Sequence, residues 1–227
     1  MRILVYGDSN SWGAPPDGSA IRFDTKTRWP CVMAHVLGAT LIEDALPGRT
    51  TVHDDVEFYG AALNGLAHLP TALLAQSPLN WVLIMLGTND FKARFHPSAA
   101  VIAQNLGRLI DCIHDVGGGV GPWNNGHIPK IAVIVPPPLT SAADSPDFED
   151  SDEWRGGRVA SVGLADAVRV VAQHKGIAVF DAGTVVAGSA NDPIHLDADS
   201  HIVLGRAVAA WLHKLNEDTD TEISPRG

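Results

Sequence analysis

The chain has 227 residues, a length that one α/β domain can fill. Hydrophobic residues make up 45% of it and charged residues 19%, which supports a sizeable core and excludes a disordered protein. The formal net charge of −10 argues against nucleic-acid or anionic-membrane partners, because such surfaces need clustered Lys and Arg side chains.

The number of cysteines and the lengths of the apolar runs predict the cellular compartment. Cys31 and Cys112 are the two cysteines of the sequence, which is too few for a disulfide framework, and they have no zinc-site spacing. We therefore expect reduced thiols in a reducing compartment. The apolar run at residues 3–6 is too short for a signal-peptide core, and no stretch reaches the roughly 20 apolar residues of a membrane span. These features predict a cytoplasmic protein.

Short apolar runs alternate with helix-length segments along the chain. The predicted strands are residues 3–6, 40–42, 81–86, 131–135 and 177–180. The predicted helices are residues 29–37, 61–74, 97–116, 158–174 and 198–215. Nearly continuous apolar strands are typical of a parallel sheet covered by helices on both faces. The pattern predicts one three-layer α/β domain at residues 1–216, followed by a polar flexible tail at 217–227.

Polar side chains follow the predicted strands at one edge of the sheet. Ser9 follows the first strand and Asn89 follows the third, while Asp192 and His195 lie between the fifth strand and the last helix. The carboxyl ends of parallel strands meet at the same edge, and ligands bind there. We therefore expect these four side chains to lie close together.

These residue types match the requirements of acyl transfer. A serine hydroxyl needs a base, so His195 would take the Ser9 proton, and Asp192 would fix the tautomer of the imidazole. The Asn89 amide and the backbone N–H groups of Ser9 and Gly48 would donate hydrogen bonds to the oxyanion. The sequence thus predicts a serine nucleophile with a triad and an oxyanion hole.

Other interpretations of the same residues are weaker. Each motif alone is an ordinary turn or helix cap. Residues 7–13 lack the lysine of a phosphate-binding loop. Metal sites at residues 53–55, or at His195, Asp199 and His201, compete with solvated polar side chains, and we predict no metal and no other cofactor. A non-catalytic binding module on the same fold is the alternative from another class, and it would lack a triad member.

The polar motifs taken together resemble a known family. The GDS motif at residues 7–9, Gly48, the GTND motif at residues 87–90, and Asp192 with His195 resemble the four sequence blocks of the SGNH (GDSL-type) hydrolases. The resemblance covers nearly the whole chain. It implies a flavodoxin-like α/β/α sandwich with a five-stranded parallel sheet.

Further segments are similar to one branch of that family. The motifs GRTT at residues 48–51, PPPL at 136–139 and FDAG at 180–183 resemble the bacterial arylesterases and acyltransferases. That resemblance implies hydrolysis of short-chain acyl esters of aryl and alkyl alcohols, with acyl transfer to an alcohol or to hydrogen peroxide in some members. It also implies a homo-oligomer. Carbohydrate O-acetyl esterase and lysophospholipase or thioesterase activities stay open as alternatives.

The resemblance assigns the site residue by residue. It implies that Ser9 is the nucleophile, that Ser9, Gly48 and Asn89 provide the oxyanion donors, and that Asp192 and His195 complete the triad. The partners are then a small ester and a water or alcohol acceptor.

The substrate-binding residues are expected close to these motifs. We predict that Asp8, Asn10, Trp12 and Trp154 bind the substrate. The acidic stretch at residues 144–153 has no clear counterpart in the family, and it lies in a long loop that can overhang the strand ends.

Overall fold

The computed structural model describes residues 1–19, 21–189 and 192–223. Five strands form one sheet, and every predicted strand is present. The strands are β1 (Arg2–Gly7), β2 (Thr40–Ala45), β3 (Trp81–Met85), β4 (Lys130–Val135) and β5 (Ala178–Asp181). All neighbouring pairs are parallel and the spatial order is β2-β1-β3-β4-β5. This is the flavodoxin-like order, which places a ligand crevice at the carboxyl ends of β1 and β3.

The described helices agree with the predicted segments, with three differences. They are α1 (Ser9–Trp12), α2 (Trp29–Leu37), α3 (Gly65–Gln76), α4 (Ala99–Val116), α5 (Gly157–Lys175) and α6 (Ala198–Ile223). The short α1 is additional. The segment predicted as one helix at residues 61–74 is split, because Asn64 is extended and caps α3 through the Ala67 N–H. Helix α6 continues past residue 215, and residues 224–227 of the predicted tail lie outside the described residues.

Two apolar clusters make the three layers. Leu4 and Tyr6 point to the face covered by α3, α4 and α5, whereas Ile3 and Val5 point to the face covered by α2 and α6. Side chains alternate between the faces of a strand, so a strand buried on both faces is apolar throughout. The carboxyl edge of the sheet, between the two layers of helices, is left to the loops that carry polar residues.

The structure also bears on the predictions about membrane spans and cysteine thiols. Among the described helices, none is both long enough and apolar enough to cross a membrane. Cys31 and Cys112 are free and half-buried.

Candidate active site

Ser9 lies at the tight turn between β1 and α1. The Asp8 carboxylate accepts a hydrogen bond from the Asn10 N–H at 3.0 Å and so caps the short helix. A Cβ atom at Gly7 would overlap the Ser11 side chain, so the turn requires glycine at that position. The strand therefore delivers the Ser9 hydroxyl to the carboxyl edge of the sheet.

Asp192, His195 and Ser9 form one chain of hydrogen bonds. His195 Nδ1 lies 2.6 Å from Asp192 Oδ2, and His195 Nε2 lies 3.0 Å from Ser9 Oγ. The other carboxylate oxygen of Asp192 accepts the backbone N–H groups of Ile194 at 2.8 Å and His195 at 3.0 Å. The carboxylate is thus fixed on both sides, and it fixes the orientation of the imidazole ring.

The electrostatic environment keeps Asp192 ionised. Burial acts to raise the pKa of Asp192, but the hydrogen bond and the charge of His195, with the two backbone N–H groups, bring that pKa below its ordinary value. A carboxylate that is ionised at neutral pH stabilises a protonated imidazole at this place.

Gly48 and Asn89 come from the loops that follow β2 and β3. Gly48 has a φ of +86°, and its N–H has no hydrogen-bond partner among the residues that the structure describes. The side-chain nitrogen of Asn89 donates to the Arg49 carbonyl at 3.1 Å, which leaves its second N–H available. Ser9, Gly48, Asn89 and His195 all line the same cavity.

That cavity has a volume of about 510 Å³ and opens at the carboxyl edge of the sheet. Part of its wall is apolar, with Ala14, Pro15, Pro47, Leu63 and Ile194. Another part is aromatic and charged, with Phe58, Tyr59, Lys92, Phe148, Asp150, Glu153 and Trp154. The long loop that the sequence left without a role therefore forms a wall of the site.

The substrate-binding predictions need correction. Trp154 lines the cavity, so its role in substrate binding stays a prediction, but Asp8, Asn10 and Trp12 are not among the lining residues. The Asp8 carboxylate and the Asn10 amide are both buried, and both bond to backbone groups: Asp8 to the local Asn10 N–H, and Asn10 to a distant segment. The Trp12 ring is half-buried beneath the Arg22 guanidinium, 5.1 Å from the ring centroid.

Asn10 instead connects the nucleophile turn to the segment that carries the histidine. Its amide nitrogen donates to the Ile194 carbonyl at 3.0 Å, and its amide oxygen accepts the Leu196 N–H at 3.1 Å. The two backbone groups belong to the residues directly before and after His195, so the bonds hold the segment on both sides of the histidine. Asn10 therefore positions the imidazole rather than the substrate.

Sequence reasoning missed a group of charged residues that we name the charged clasp: Asp55, Lys92, Arg94 and Glu153. Lys92, which is only 3% exposed, has its ammonium 3.1 Å from Asp55 and 3.3 Å from Glu153. Arg94 contacts the same two carboxylates at 3.0 Å and 2.7 Å. The signal in the sequence was the basic pair after the GTND motif together with the acidic stretch at 144–153.

Neither of the considered metal sites is assembled. The described part of the chain holds no group of three or more His, Cys, Asp or Glu side chains suited to a metal ion. Asp54 accepts a hydrogen bond from Asn64, and Asp55 belongs to the charged clasp. His201 is buried, its Nδ1 accepts the Trp29 N–H at 3.4 Å, and burial lowers its pKa to about 4. These side chains have structural roles.

Comparisons with solved structures agree over nearly the whole chain. Est24, a carbohydrate acetylesterase from Sinorhizobium meliloti, is 36% identical with a TM-score of 0.87, over 95% of this chain and 99% of its own. The aryl esterase of M. smegmatis is 35% identical with a TM-score of 0.87, over the same shares of 95% and 99%. A further carbohydrate acetylesterase family member from Sinorhizobium meliloti is 31% identical with a TM-score of 0.86, over 94% and 98%.

Comparisons with protein sequences give the family. No curated protein matches the chain. Residues 5–213 match the GDSL-like lipase/acylhydrolase family. The chain therefore belongs to the GDSL-like lipase/acylhydrolase family and is a carboxylic ester hydrolase with the α/β fold of the SGNH hydrolases.

Proposed function

We propose that this hydrolase cleaves short-chain acyl esters of aryl and alkyl alcohols through an acyl-enzyme on Ser9. The observation that carries the proposal is the continuous hydrogen-bond chain from Ser9 through His195 to Asp192 at the wall of the cavity. In such a chain the hydroxyl, the base and the orienting carboxylate have the geometry of an activated nucleophile.

The acylation step uses the groups in that order. Ser9 Oγ bonds to the acyl carbon while its proton passes to His195 Nε2, 3.0 Å away. The negative charge that forms on the carbonyl oxygen is met by the N–H groups of Ser9 and Gly48 and by the Asn89 amide. When the C–O bond breaks, His195 returns the proton to the departing alcohol, and the acyl group stays on Ser9.

Deacylation repeats the sequence with a second nucleophile. Water gives its proton to His195 as it attacks the acyl carbon. The bond from the acyl carbon to Ser9 Oγ then breaks, His195 passes that proton to Ser9 Oγ, and the free acid is released. An alcohol held in the cavity would take the place of water and give a new ester. The aromatic side chains of Phe58, Phe148 and Trp154 favour such an acceptor, because they exclude water and pack against apolar groups.

A second candidate is an ester of an acetylated carbohydrate. The wall that combines Phe58 and Trp154 with Asp150 and Glu153 favours it, since aromatic faces pack against sugar rings while carboxylates accept hydrogen bonds from hydroxyl groups. Est24, to which the chain is similar, is a carbohydrate acetylesterase.

Labelling of the nucleophile tests the first proposal. A fluorophosphonate should block p-nitrophenyl acetate hydrolysis and add its mass to the peptide that contains Ser9. Ser9→Ala should lose both labelling and activity. Ser11→Ala is the matched control, because Ser11 is a nearby serine whose hydroxyl is buried and does not line the cavity. Labelling at any other residue, or Ser9→Ala with more than a few per cent of wild-type activity, would contradict the proposal.

Substrate comparison separates the two candidates. We expect kcat/KM on p-nitrophenyl esters to fall from acetate through butyrate to octanoate, because a long acyl chain would have to lie against the charged lining residues Lys92, Asp150 and Glu153. Acetate release from glucose pentaacetate should be compared with release from phenyl acetate. A higher kcat/KM on the sugar ester would favour the second candidate.

A further inference from the structure

The loops that carry Gly48 and Asn89 leave the sheet from strands that are not neighbours. β1 lies between β2 and β3, and adjacent strands are about 4.8 Å apart. The backbone ladders of β1 with β2 and with β3 end where Gly7 pairs with Ala45 and with Met85. Beyond those residues, contacts between the loops must set the distance from Asn89 to the N–H groups of Ser9 and Gly48.

Three hydrogen bonds make that connection. The Asn89 amide donates to the Arg49 carbonyl at 3.1 Å, the Thr51 N–H donates to Asp90 Oδ2 at 2.9 Å, and the Thr51 hydroxyl donates to Asp90 Oδ1. We name the two bonds between Thr51 and Asp90 the loop staple. Thr51 is fully buried and Asp90 is 1% exposed, so water does not compete for either bond.

Thr51 is itself firmly held. Its carbonyl accepts the Leu66 N–H at 2.9 Å in the first turn of α3. Thr50 donates its N–H to the Leu63 carbonyl at 2.9 Å and accepts the Gly65 N–H at 3.1 Å. The staple therefore joins the loop after β3 to an anchored segment.

Burial of the Asp90 carboxylate reduces the free energy gained on folding, which argues that Asp90 does more than stabilise the fold. No Lys or Arg pairs with it among the described residues, and the His53 ring nitrogen lies 3.7 Å from Oδ1. Burial raises the pKa of Asp90 above its ordinary value. A buried carboxylate that lacks a cationic partner destabilises a fold unless its hydrogen bonds compensate.

We propose that Asp90 and Thr51 are positioning residues for the oxyanion hole: the loop staple fixes the Asn89 amide relative to the N–H groups of Ser9 and Gly48. The inference rests on the proposed acyl-enzyme mechanism. Its physical basis is that an oxyanion donor must lie within about 2.7–3.1 Å of the developing charge, so a small displacement of one loop weakens it.

Paired substitutions at Thr51 give the first test, with p-nitrophenyl acetate as substrate. Thr51→Val keeps the shape of the side chain but loses the hydrogen bond of the hydroxyl. We expect kcat to fall on the order of tenfold with KM unchanged. This loss is smaller than that caused by moving a catalytic group by about 1 Å, because the Thr51 N–H still bonds to Asp90. Thr51→Ser keeps the hydroxyl and should stay within about twofold of wild type. If Thr51→Val does not fold, Thr51→Ala removes the same bond without placing a methyl group beside Asp90.

A double-mutant cycle with Asn89→Ala identifies the residue through which Thr51 acts. The loop that carries Gly48 has other anchors: the Leu46 N–H donates to the Gly7 carbonyl at 3.1 Å, and the Thr50 N–H donates to the Leu63 carbonyl at 2.9 Å. The N–H groups of Ser9 and Gly48 therefore do not need the staple to keep their relative position. Thr51→Val should therefore lower kcat by less than about twofold when Asn89 is already alanine. An equal loss in both backgrounds, a change in KM alone, or full activity of Thr51→Val would overturn the inference. Retained activity of Ser9→Ala would instead overturn the proposed function, whatever the Thr51 variants show.

Discussion

The pKa values of buried carboxylates are shifted in opposite directions at the strand ends and in the loop wall of the cavity. At the strand ends, no cationic side chain of the described residues bonds to Asp8, and burial raises the pKa of Asp8 to about 6 against the opposing effect of the Asn10 N–H. In the loop wall, burial also acts to raise the pKa of Asp55, but Arg94 and Lys92 outweigh it and lower that pKa. The strand ends are organised by backbone geometry, whereas the wall is organised by ion pairs between side chains.

From this difference we expect the strand ends to carry out the chemical steps and the loop wall to select the substrate. Ser9 lies two residues past the end of β1, so the sheet fixes the proposed nucleophile, and the loop staple holds Asn89 beside it. The wall is joined by Lys92 and Arg94, which bridge Asp55 in one loop and Glu153 in another. We expect changes at the strand ends to act on kcat, and changes in the wall to act on the choice of ester and on KM.

The largest effect is expected for His195→Ala. Loss of the base should lower kcat by on the order of 10⁶, as in other serine hydrolases in which one triad member is removed. The fold should remain, because the half-buried imidazole packs at the cavity and not in the core. Steady-state kinetics on p-nitrophenyl acetate, with circular dichroism as the folding control, measures it. More than a few per cent of activity would show that another group acts as the base.

Asn89→Ala should produce the next effect. Removal of one oxyanion donor costs roughly 10²–10³ in kcat, about 3–4 kcal/mol, with little change in KM. The amide binds the oxyanion of the transition state more strongly than the neutral carbonyl of the substrate, which is why the loss falls on kcat. A variant with raised KM and unchanged kcat would move Asn89 from the oxyanion hole to substrate binding.

Glu153→Gln tests the wall. The variant leaves the buried Lys92 ammonium and the Arg94 guanidinium with one carboxylate fewer, so the loop that carries Trp154 should lose its fixed position. We expect KM for p-nitrophenyl acetate to rise several-fold while kcat changes by less than about twofold. Asp152→Asn is the matched control, since among the described residues that neighbouring carboxylate pairs only with the exposed Arg155. A large loss of kcat would contradict the separation of wall and strand ends.

The last prediction concerns stability rather than catalysis, and it uses the variant Asp8→Asn. The native pKa of about 6 lies above the ordinary carboxyl value of 3.8, so the folded state binds more protons than the unfolded state between these values. Stability contributed by protonated Asp8 is complete below pH 4 and is lost as pH rises through 6, by roughly 3 kcal/mol at most. Asparagine is a good helix cap without this titration.

Urea unfolding of both proteins from pH 4 to pH 8 measures the effect. The stability of Asp8→Asn relative to wild type should increase up to about pH 7 and then stay constant. All other titrating groups are shared by the two proteins, so they cancel in the difference. A difference that does not vary with pH would show that Asp8 is ionised in the native protein over the whole range.

The sequence by itself determined the layers of the fold and the residues that we propose as reacting groups. Nearly unbroken apolar strands specify a parallel sheet buried on both faces, and all parallel strands present their carboxyl ends at one edge. Ser9 and Asn89 could therefore be placed from their positions just after β1 and β3. Asp192 and His195 are only three residues apart, so local backbone geometry is sufficient to pair them.

Tertiary structure decided which neighbouring side chains reach the cavity. Asp8 and Asn10 flank Ser9 in the sequence, yet α1 turns both into the interior, where Asn10 bonds to backbone 184 and 186 residues away. Lys92 and Glu153 line the wall because their loops meet in space. Periodicity records which face of a strand or helix is buried, but it contains no information on which distant charges pair, because that depends on how the loops pack.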